Sequence, residues 1–386
     1  MNLCIVAHFA YGAFTGGTTG HVGGVERQTS LMAKWFAARG HQVSLLTWDE
    51  GQPQVQFMHG VHVIKMCRQS DGVPGFRFFH PRWTSLNKAL TKADAQIYYQ
   101  NCGEYVTGQV ALWCKRNNRL FIYSTSSNTD CDSALPEMRT IRERVFYKYG
   151  LRHADTIIVQ TNKQRLMLNN GFSLESTVLP MPCPEPNDIK FRAPILPTMN
   201  EPFHVGWAAR ISREKRLELL VEVARALPEV IFEVGGEATS EEGNAYAQPI
   251  LAAAASLPNI ILHGRIVREN MPAFYRRLHL FCCTAAYEGF PNTFLEAWSH
   301  GLPIVSSFDP DDLIAKQELG KTATDVASII DGIRYFLKRP EAWRTVSARA
   351  RNYYLQYHTV DKVMVRFEQV LLETLEKQHK HSGSEI

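Results

Sequence analysis

Several features that mark other protein classes are absent from this sequence. No apolar run among its 386 residues reaches the roughly 18 residues that a membrane-spanning helix requires. The eight cysteines include no C-x-x-C pair, so buried free thiols explain them better than disulfides or a zinc site. The net charge is only +4, which argues against a dedicated nucleic-acid-binding protein but permits anionic ligands or an anionic membrane surface.

The N-terminal sequence also lacks the basic leader and the longer apolar segment of a secretory signal. Its pattern is that of a short buried strand, and we expect a cytoplasmic protein. Hydrophobic residues make up 45% of the chain, which is enough for two separate cores and excludes a disordered or fibrous protein. The length favours two domains, and no feature indicates an oligomeric state.

Short apolar runs alternate with amphipathic helical patterns, which predicts an α/β protein with parallel sheets covered on both faces. Predicted strands are 3–8, 42–48, 62–66, 96–100, 120–124, 156–160, 204–208, 231–234, 260–264, 280–283 and 303–306. Predicted helices are 25–39, 105–116, 137–152, 216–227, 248–256, 270–278, 292–300, 323–337, 340–357 and 360–376. We therefore expect two doubly wound, Rossmann-like domains that bind ligands at the carboxyl ends of their strands.

Six prolines between Pro180 and Pro197 interrupt this alternation. Proline at that density cannot continue a helix or a central strand, so 185–200 is predicted to be an extended linker. The predicted domains are 1–184 and 201–358. A C-terminal helix with a polar tail, 359–386, follows and is a candidate to pack back on the first domain.

The loop after the first strand, 11–27, contains six glycines and ends at a predicted helix. Gly23 and Gly24 stand at the start of that helix, where backbone N–H groups can approach a phosphate or a sugar. No two of these glycines are two residues apart, so the G-x-G-x-x-G dinucleotide fingerprint is absent. A flexible surface loop is the alternative interpretation.

Four cations follow the strand 204–208, namely Arg210, Arg213, Lys215 and Arg216. They stand at the start of a helix, where the helix dipole disfavours positive charge unless an anion compensates. The cluster therefore predicts a diphosphate site that needs no metal ion. A solvated helix start is the alternative.

Two carboxylates bracket the start of the predicted helix 292–300. Glu288 falls in the preceding turn, and Glu296 lies about one turn into the helix. Free N–H groups at a helix start can hold a phosphate, and carboxylates accept hydrogen bonds from paired sugar hydroxyls. The arrangement suits a nucleotide sugar, although Glu296 alone could be an ordinary glutamate favoured by the helix dipole.

This stretch resembles the Glu-x7-Glu motif of retaining glycosyltransferases with the GT-B fold, family 4. Arg210 and Lys215 match that family's donor-diphosphate pair, and Gly23-Gly24-Val25-Glu26 matches the glycine loop of its acceptor domain. The resemblance spans nearly the whole chain. It implies that an acceptor-binding domain and a nucleotide-sugar-binding domain face a cleft.

The resemblance also implies individual roles. Glu288 would bond the donor sugar and Glu296 the ribose, while Arg210 and Lys215 would stabilise the departing nucleoside diphosphate, so Arg210, Lys215 and Glu288 are the catalytic candidates. Donor-binding candidates are Gly23, Gly24, Gly206, Arg210, Lys215, Gly235, Gly264, Arg265, Glu288, Gly289, Phe290, Pro291, Asn292, Thr293 and Glu296. The implied reaction moves a sugar from a UDP- or GDP-sugar to a hydroxyl acceptor with retention of configuration. It needs neither a cofactor nor a metal ion.

One departure concerns the acceptor. Many family members carry a histidine just after the strand that corresponds to 120–124, and this chain has a Thr-Ser-Ser-Asn sequence there. Ser126, Asp130 and Asp132 are candidates to bond an acceptor, or they could cap a helix and form turns. Two D-x-D patterns, at Asp130 and Asp309, arise easily by chance, and we predict no metal site.

Several alternatives stay open at this point. The acceptor could be a lipid-linked saccharide, a polysaccharide or a small molecule. The basic helix 137–152 could lie on anionic lipid, although an ordinary core-facing helix with a solvated face is favoured. The chain could also be a non-catalytic, sugar-nucleotide-binding regulatory subunit. A nucleotide-dependent oxidoreductase is disfavoured because the dinucleotide fingerprint is missing.

Overall fold

The chain forms two compact units. A computed structural model describes residues 1–16, 23–186, 194–197, 201–238 and 241–383, without the side chains of 241, 242 and 379–383. The first unit comprises Met1–Pro180 and Val363–Ile386, and the second comprises Met181–Lys362. The unit boundaries therefore lie at 180 and 362, where the sequence predicted domain ends at 184 and 358.

An eight-stranded sheet forms the core of the first unit, in the order β3-β4-β2-β1-β5-β6-β7-β8. All neighbouring strands are parallel except β3 and β4, which pair antiparallel. The strands are β1 (Asn2–Val6), β2 (Gln42–Thr47), β3 (Val55–Met58), β4 (Val61–Lys65), β5 (Ile97–Asn101), β6 (Leu120–Ser124), β7 (Thr156–Val159) and β8 (Thr177–Val178). From β1 the strands are added first towards β2, β4 and β3 and then, from β5 onward, on the other side of β1. This switch in strand order places a crevice at the carboxyl ends of β1 and β5.

Six helices of the first unit accompany this sheet: α1 (Ala10–Thr15), α2 (Gly24–Ala38), α3 (Thr84–Ala93), α4 (Tyr105–Arg116), α5 (Ile141–Arg152) and α6 (Asn162–Phe172). The predicted glycine loop 11–27 thus contains most of a short helix, α1. The loop residues 17–22 lie outside the described residues.

A six-stranded parallel sheet organises the second unit, in the order β11-β10-β9-β12-β13-β14. Its strands are β9 (Phe203–Ala208), β10 (Val230–Gly235), β11 (Ile260–Gly264), β12 (Leu280–Cys283), β13 (Ile304–Ser306) and β14 (Gly320–Thr322). Its helices are α7 (Leu217–Ala226), α8 (Glu241–Ala255), α9 (Met271–Arg276), α10 (Asn292–Ser299), α11 (Leu313–Lys316), α12 (Val326–Lys338) and α13 (Pro340–Tyr357). The strand order switches sides between β9 and β12, with β10 and β11 on one side and β13 and β14 on the other. The loops after β9 and β12 therefore flank the second crevice.

The first residues of the proline-rich segment belong to the second unit. The amide of Cys183 donates to the carbonyl of His358 at 2.9 Å, and the Tyr354 hydroxyl donates to the Cys183 carbonyl at 2.8 Å. Of the predicted linker 185–200, residues 187–193 and 198–200 lie outside the described residues, and 194–197 have no regular structure.

The last helix, α14 (Val360–Gly383), returns the chain to the first unit. Arg39 Nη2 lies 3.0 Å from Glu368 Oε2, and His41 Nε2 lies 2.6 Å from Glu368 Oε1. The rings of Phe367 and Tyr99 meet edge to face with centroids 5.5 Å apart. Helix α14 therefore forms part of the packing of the first unit.

Helix α5 differs from its prediction in both length and orientation. It begins at Ile141, four residues later than predicted, because Thr140 caps its N-terminus. Its buried residues are Tyr147, Gly150 and Leu151. Ile141 and Val145, which the predicted apolar face included, are 81% and 58% exposed. The helix thus presents part of its apolar surface to solvent.

Candidate functional site

The loops after β9 and β12 are joined by hydrogen bonds at the crevice of the second unit. The Thr284 hydroxyl donates to the carbonyl of Lys215 at 2.6 Å, and the Ala286 amide donates to the carbonyl of Glu214 at 2.8 Å. The Trp207 indole N–H donates to the Thr284 hydroxyl at 2.9 Å. These bonds hold two loops that are about seventy residues apart in sequence in one arrangement.

Arg216 strengthens the same junction. Its backbone is left-handed, with φ of 50°. Its guanidinium donates to the carbonyls of Thr284 at 2.7 Å and Ala285 at 3.2 Å, and to the Ser307 hydroxyl at 2.8 Å. This cation therefore stabilises the two loops, a structural role that the sequence did not predict.

The other three cations of the predicted cluster have different partners. Lys215 forms an ion pair with Glu288, and the two side chains are 14% and 24% exposed. Arg210 Nη2 lies 3.5 Å from Glu214 Oε1 and is 59% exposed. Arg213 lies over the ring of Tyr246, 5.3 Å from its centroid. Lys215 and Glu288, 73 residues apart in sequence, are thus brought together.

Glu214 shows the positive potential of this loop. Partial burial raises the pKa of its carboxyl, but backbone N–H hydrogen bonding and the charges of Arg210 and Lys215 outweigh burial and lower it. An anionic group is therefore stabilised at this position of the loop.

Glu296 lies on the fifth position of α10 and is 7% exposed. Arg268 forms an ion pair with its Oε1, and the Tyr275 hydroxyl donates to its Oε2 at 2.8 Å. Burial, together with the charge of Glu296, raises the pKa of Tyr275 well above its usual value. Arg268 and Tyr275 were missed by the sequence analysis because their only signal was position, shortly after the turn at Gly264.

The start of α10 carries no acidic residue and no side-chain cap. Gly289, Phe290 and Pro291 lead into it, and Asn292 and Thr293 are its first residues. A helix start of this kind favours an anion because its backbone N–H groups and its dipole are both positive.

Steric contacts or backbone conformation account for the glycines in and after the strands of the second unit. A Cβ on Gly206 would collide with Leu278, and one on Gly235 would collide with Ile266. Gly264 has φ of 61°, a conformation that favours glycine. Arg265 follows it, and its Nη1 lies 3.5 Å from Glu237 Oε1. Both side chains are about half exposed.

In the first unit, Gly23 is the N-cap of α2 and Gly24 its first residue. A Cβ on Gly23 would collide with the carboxylate of Glu26. The glycine therefore allows the first turn of α2 to bring a carboxylate close to its own N-terminus.

The predicted acceptor residues have structural partners. Asp130 is buried, and its Oδ2 accepts hydrogen bonds from the amide of Ser126 at 2.7 Å, the hydroxyl of Ser126 at 2.9 Å and the amide of Ser127 at 3.2 Å. Burial raises the pKa of Asp130, although these bonds oppose the shift. Asp132 Oδ1 accepts from the Ala134 amide at 2.9 Å. Turn and cap formation accounts for these side chains without a ligand.

A different group of polar side chains lines a cavity at the crevice of the first unit, between the ends of β1 and β5 and the start of α2. His8 is 7% exposed, and neither of its ring nitrogens has a hydrogen bond. Asn101 Oδ1 is also buried without a hydrogen bond. His8 Nε2 lies 3.5 Å from Glu104 Oε2. The sequence analysis did not single out these residues.

Two further observations concern the described residues alone. They contain no group of three or more histidine, cysteine or carboxylate side chains placed to hold a metal ion, and Asp309 of the second D-x-D pattern accepts the amides of Ile314 at 2.8 Å and Ala315 at 3.1 Å. None of the helices described combines the length and the apolarity that crossing a bilayer requires.

Two family profiles match most of the chain. The profile described as "Glycosyl transferases group 1" matches residues 202–339, and the "Glycosyl transferase 4-like domain" matches residues 23–175. A curated relative, the GtfA subunit of the UDP-N-acetylglucosamine–peptide N-acetylglucosaminyltransferase of Streptococcus parasanguinis, is 25% identical over 171 residues. That match covers 42% of this chain and 32% of the relative, so the chain matches about a third of that protein.

Solved structures share the fold over nearly the whole chain. Sucrose-phosphate synthase from Thermosynechococcus elongatus aligns with a TM-score of 0.78 at 17% identity, covering 97% of this chain and 99% of that one. HepE from Anabaena, solved with UDP and glucose, aligns with a TM-score of 0.75 at 16% identity, covering 96% and 99%. The predicted GT-B fold, with its two parallel-sheet α/β domains, is confirmed. Both halves of the chain match, and it belongs to the group 1 glycosyltransferases.

Proposed function

We propose that the protein transfers a sugar from a nucleotide-sugar donor to a hydroxyl acceptor with retention of configuration. The observation that carries this proposal is the pairing of Lys215 with Glu288 at the crevice of the second unit, next in sequence to the uncapped start of α10. A cation, a carboxylate and a helix start are the groups that a diphosphate and a sugar with several hydroxyls require. The proposed reaction uses no cofactor beyond the nucleotide sugar and no metal ion.

Each side chain has a proposed task. Lys215 and Arg210 stabilise the charge that develops on the leaving diphosphate, and stabilisation of that charge contributes most of the rate enhancement in catalysis of this type. Glu288 accepts hydrogen bonds from the donor sugar, and Glu296 accepts them from the ribose while Arg268 holds it in position. The proposed donor-binding set keeps Gly23, Gly24, Gly206, Gly235, Gly264, Arg265, Gly289, Phe290, Pro291, Asn292 and Thr293.

Retention of configuration is supported by the state of Glu288. Its carboxylate is paired with Lys215, and the proposed mechanism uses it to hold the donor sugar and not as a nucleophile or a general base. The proposed route is attack of the acceptor on the face that the leaving group vacates, with the leaving phosphate taking the acceptor proton. Arg210 and Lys215 would then lower the barrier without a covalent intermediate.

UDP is the better supported nucleotide. The curated relative is named for a UDP-N-acetylglucosamine donor, and HepE was solved with UDP and glucose. We therefore propose a UDP-sugar ahead of a GDP-sugar. The rival functions, a non-catalytic binding subunit and an oxidoreductase, have no comparable support.

The test of the proposed function compares two cations of the same loop. Lys215→Met should lower donor turnover by about 100- to 1000-fold, the loss found when one group that stabilises a transition-state charge is removed. Arg213→Met, which alters a cation that lies over Tyr246, should change turnover only a few-fold. Turnover is measured as transfer or slow donor hydrolysis, across a panel of UDP- and GDP-sugars in excess chelator.

Three outcomes would contradict parts of this proposal. Donor binding without turnover for every donor and acceptor tried would favour the non-catalytic subunit. Activity that disappeared in chelator and returned with magnesium would contradict the metal-free mechanism. Inversion at the anomeric carbon of the product, seen by NMR, would contradict retention.

The two glutamates provide a finer test. Glu296→Gln should weaken binding of free UDP and of the complete donor alike, by about tenfold, because a hydrogen bond to a charged group contributes about 1.5 kcal/mol or more. Glu288→Gln should leave UDP binding nearly unchanged and reduce turnover. Calorimetry with UDP and with the intact donor supplies both comparisons, and equal loss of UDP binding in both variants would contradict the assigned roles.

We also propose that the protein is cytoplasmic and that its first unit contacts an anionic membrane surface. Eight free cysteines suit a reducing compartment. Exposed apolar side chains occur in two segments that pack together: the rings of Phe78 and Phe146 have centroids 5.5 Å apart, and Arg142 lies 4.1 Å from the Phe78 centroid. The exposed apolar residues of this membrane-facing surface are Val73, Phe76, Phe79, Ile141 and Val145, and its exposed cations are Arg139, Arg142 and Arg144.

Apolar side chains flanked by arginines suit the boundary between lipid headgroups and acyl chains, and such binding depends on anionic lipid. Co-sedimentation should show binding to vesicles of phosphatidylcholine with phosphatidylglycerol, and much weaker binding to phosphatidylcholine alone. Val145→Ser combined with Phe79→Ser should reduce binding. Leu166→Ser, at an exposed apolar residue on α6, is the matched control and should not. Equal binding by both variants would contradict the assigned surface.

A further inference from the structure

A cavity open to solvent lies at the crevice of the first unit. Its volume is about 70 Å³, and a cavity needs roughly 10–15 Å³ to hold one water. It therefore has room for several water-sized groups, such as the hydroxyls along one edge of a larger ligand. The lining includes His8, Glu26, Asn101 and Glu104.

Polar atoms in this cavity lack the partners that buried groups normally have. His8 carries one N–H donor and one acceptor nitrogen when neutral, and neither has a hydrogen bond. Its ring lies against Trp48, with centroids 4.9 Å apart, which fixes its orientation. Asn101 Oδ1 is a second buried acceptor without a bond. Buried polar atoms without partners destabilise a fold, and here two side chains that carry such atoms line the same cavity, which points to a ligand that completes their bonds.

A hydroxyl group is the ligand chemistry that fits these atoms. It both donates and accepts a hydrogen bond, as a ring nitrogen and an amide oxygen at one site require. Neither the His8 ring nitrogens nor Asn101 Oδ1 has a hydrogen-bond partner among the described residues, although Glu104 Oε2 lies 3.5 Å from His8 Nε2.

The charge of the lining selects among hydroxyl compounds. Glu26 and Glu104 face the cavity, and no lysine or arginine is among the described residues that line it. A phosphate or carboxylate on the ligand would meet like charge at short range without a compensating cation. Uncharged ligands avoid this repulsion, so the lining favours neutral saccharides.

We propose that this cavity binds the hydroxyl edge of an uncharged saccharide acceptor, with His8 and Asn101 bonding the hydroxyls and the two glutamates excluding phosphorylated or acidic acceptors. The proposal rests on the proposed function, because it assigns the acceptor class of the same reaction. His8 and Asn101 are specificity-determining residues in this assignment, and Glu104 positions the His8 ring.

A binding experiment separates this proposal from the proposed function. Ligand-detected NMR, in the presence of UDP, compares methyl glucoside, methyl galactoside and N-acetylglucosamine with glucose 6-phosphate and glucuronic acid. Wild-type protein should bind at least one neutral probe and should bind its charged counterpart at least tenfold more weakly. His8→Phe and Asn101→Leu should each weaken the neutral probe about tenfold or more, the loss of one buried hydrogen bond.

Controls distinguish the possible failures. His62→Phe changes an exposed histidine of the same unit and should leave probe binding unchanged. UDP affinity, measured by calorimetry, should be equal in all these variants, since none of the substituted residues belongs to the proposed donor-binding set. Glu104→Gln should reduce the difference in affinity between neutral and negatively charged probes.

The proposal is overturned if no neutral probe binds the wild-type protein, if charged probes bind as well as neutral ones, or if His8→Phe binds as the wild type does. Loss of all donor turnover with intact probe binding would instead contradict the proposed function alone. Where transfer can be assayed, His8→Phe should raise the acceptor KM more than it lowers kcat.

Discussion

The polar side chains at the crevices of the two units differ in whether they already have partners. In the second unit the ionic groups already bind one another, as Lys215 does with Glu288 and Arg268 with Glu296. In the first unit His8 and Asn101 are buried with unfilled hydrogen-bonding positions. The first arrangement holds charges in position before a ligand arrives, and the second leaves a local instability that a ligand can relieve.

This difference determines what a ligand must displace when it binds in each unit. A ligand of the second unit must share or displace existing partners, so its affinity reflects an exchange of ion pairs. A ligand of the first unit meets ring nitrogens of His8 and an amide oxygen of Asn101 that have no hydrogen bond to give up, with only the longer 3.5 Å contact of His8 to Glu104 beside them. Acid pH and removal of an ion-pair partner should accordingly destabilise the second unit. Replacement of His8 by an apolar residue should stabilise the first unit.

The largest expected effect is acid destabilisation of the second unit. Burial lowers the pKa of His300 and of His358 from 6.5 to about 4. Each ring donates through Nδ1, to the carbonyl of Glu296 at 2.7 Å and of Met181 at 2.9 Å, and each has a buried Nε2 without a hydrogen bond. Both imidazoles therefore resist protonation in the folded state.

The sign of the effect follows from proton binding. Between pH 6.5 and 4 the unfolded chain binds more protons than the folded one, so the free energy of unfolding falls as the pH falls. Each histidine should contribute a loss of about 2 kcal/mol between pH 7 and pH 5. Hydrogen exchange in α10 and α13 at the two pH values measures this loss. Burial also lowers the pKa of His279 in the same unit to about 4, so His358→Asn should reduce the pH dependence by about a third. An unchanged dependence in that variant would contradict the assignment.

The next largest effect concerns the ion pair between Glu296, whose side chain is 9% exposed, and Arg268, whose side chain is 39% exposed. Arg268→Met leaves the nearly buried Glu296 with only the Tyr275 hydroxyl, and should lower the free energy of unfolding by about 2–3 kcal/mol, somewhat less than for a fully orphaned charge. Arg265→Met removes an arginine whose pair with Glu237 is about half exposed, and should cost less than about 1 kcal/mol. Urea denaturation compares the two, and equal losses would mean that Glu296 does not depend on its pair.

The smallest effect should have the opposite sign. His8→Phe replaces a buried ring that has no hydrogen bonds with an apolar ring beside Trp48, and should raise the free energy of unfolding by about 1 kcal/mol. His62→Phe, at an exposed position, should change it by less than about 0.5 kcal/mol. Thermal unfolding of both variants provides the measurement. Destabilisation by His8→Phe would show that the imidazole stabilises the folded chain and would remove the contrast between the two crevices.

Much of the fold could be predicted because continuous apolar runs mark buried parallel strands. The bounds of β6, β11 and β12 agree with the prediction, as do those of α4 and α13. Strand β3 was missed because its residues alternate between exposed and half-buried positions at an antiparallel edge. Strands β8 and β14, only two and three residues long, and the helices α1, α3, α6 and α11 were missed as well.

Less of the candidate site could be predicted, and the reason is distance along the chain. Sequence patterns placed Lys215 and Glu288 in loops after strands, but only the order β9-β12 in the sheet brings those loops together. Arg216 had the same pattern as Lys215 and has a structural role instead. His8 and Asn101 are ordinary residues at the ends of two strands, and their lack of partners is a property of packing that no local pattern reports.

The return of the chain into the first unit determines the order in which the protein can be completed during synthesis. Residues 181–362 are translated before most of α14, whereas the packing of the first unit includes α14, which follows every other described element in sequence. Until then the Tyr99 ring lacks Phe367, and Arg39 and His41 lack Glu368. The first unit therefore completes its packing only after the second unit has been translated, and until then its unfinished surface is open to chaperones and proteases.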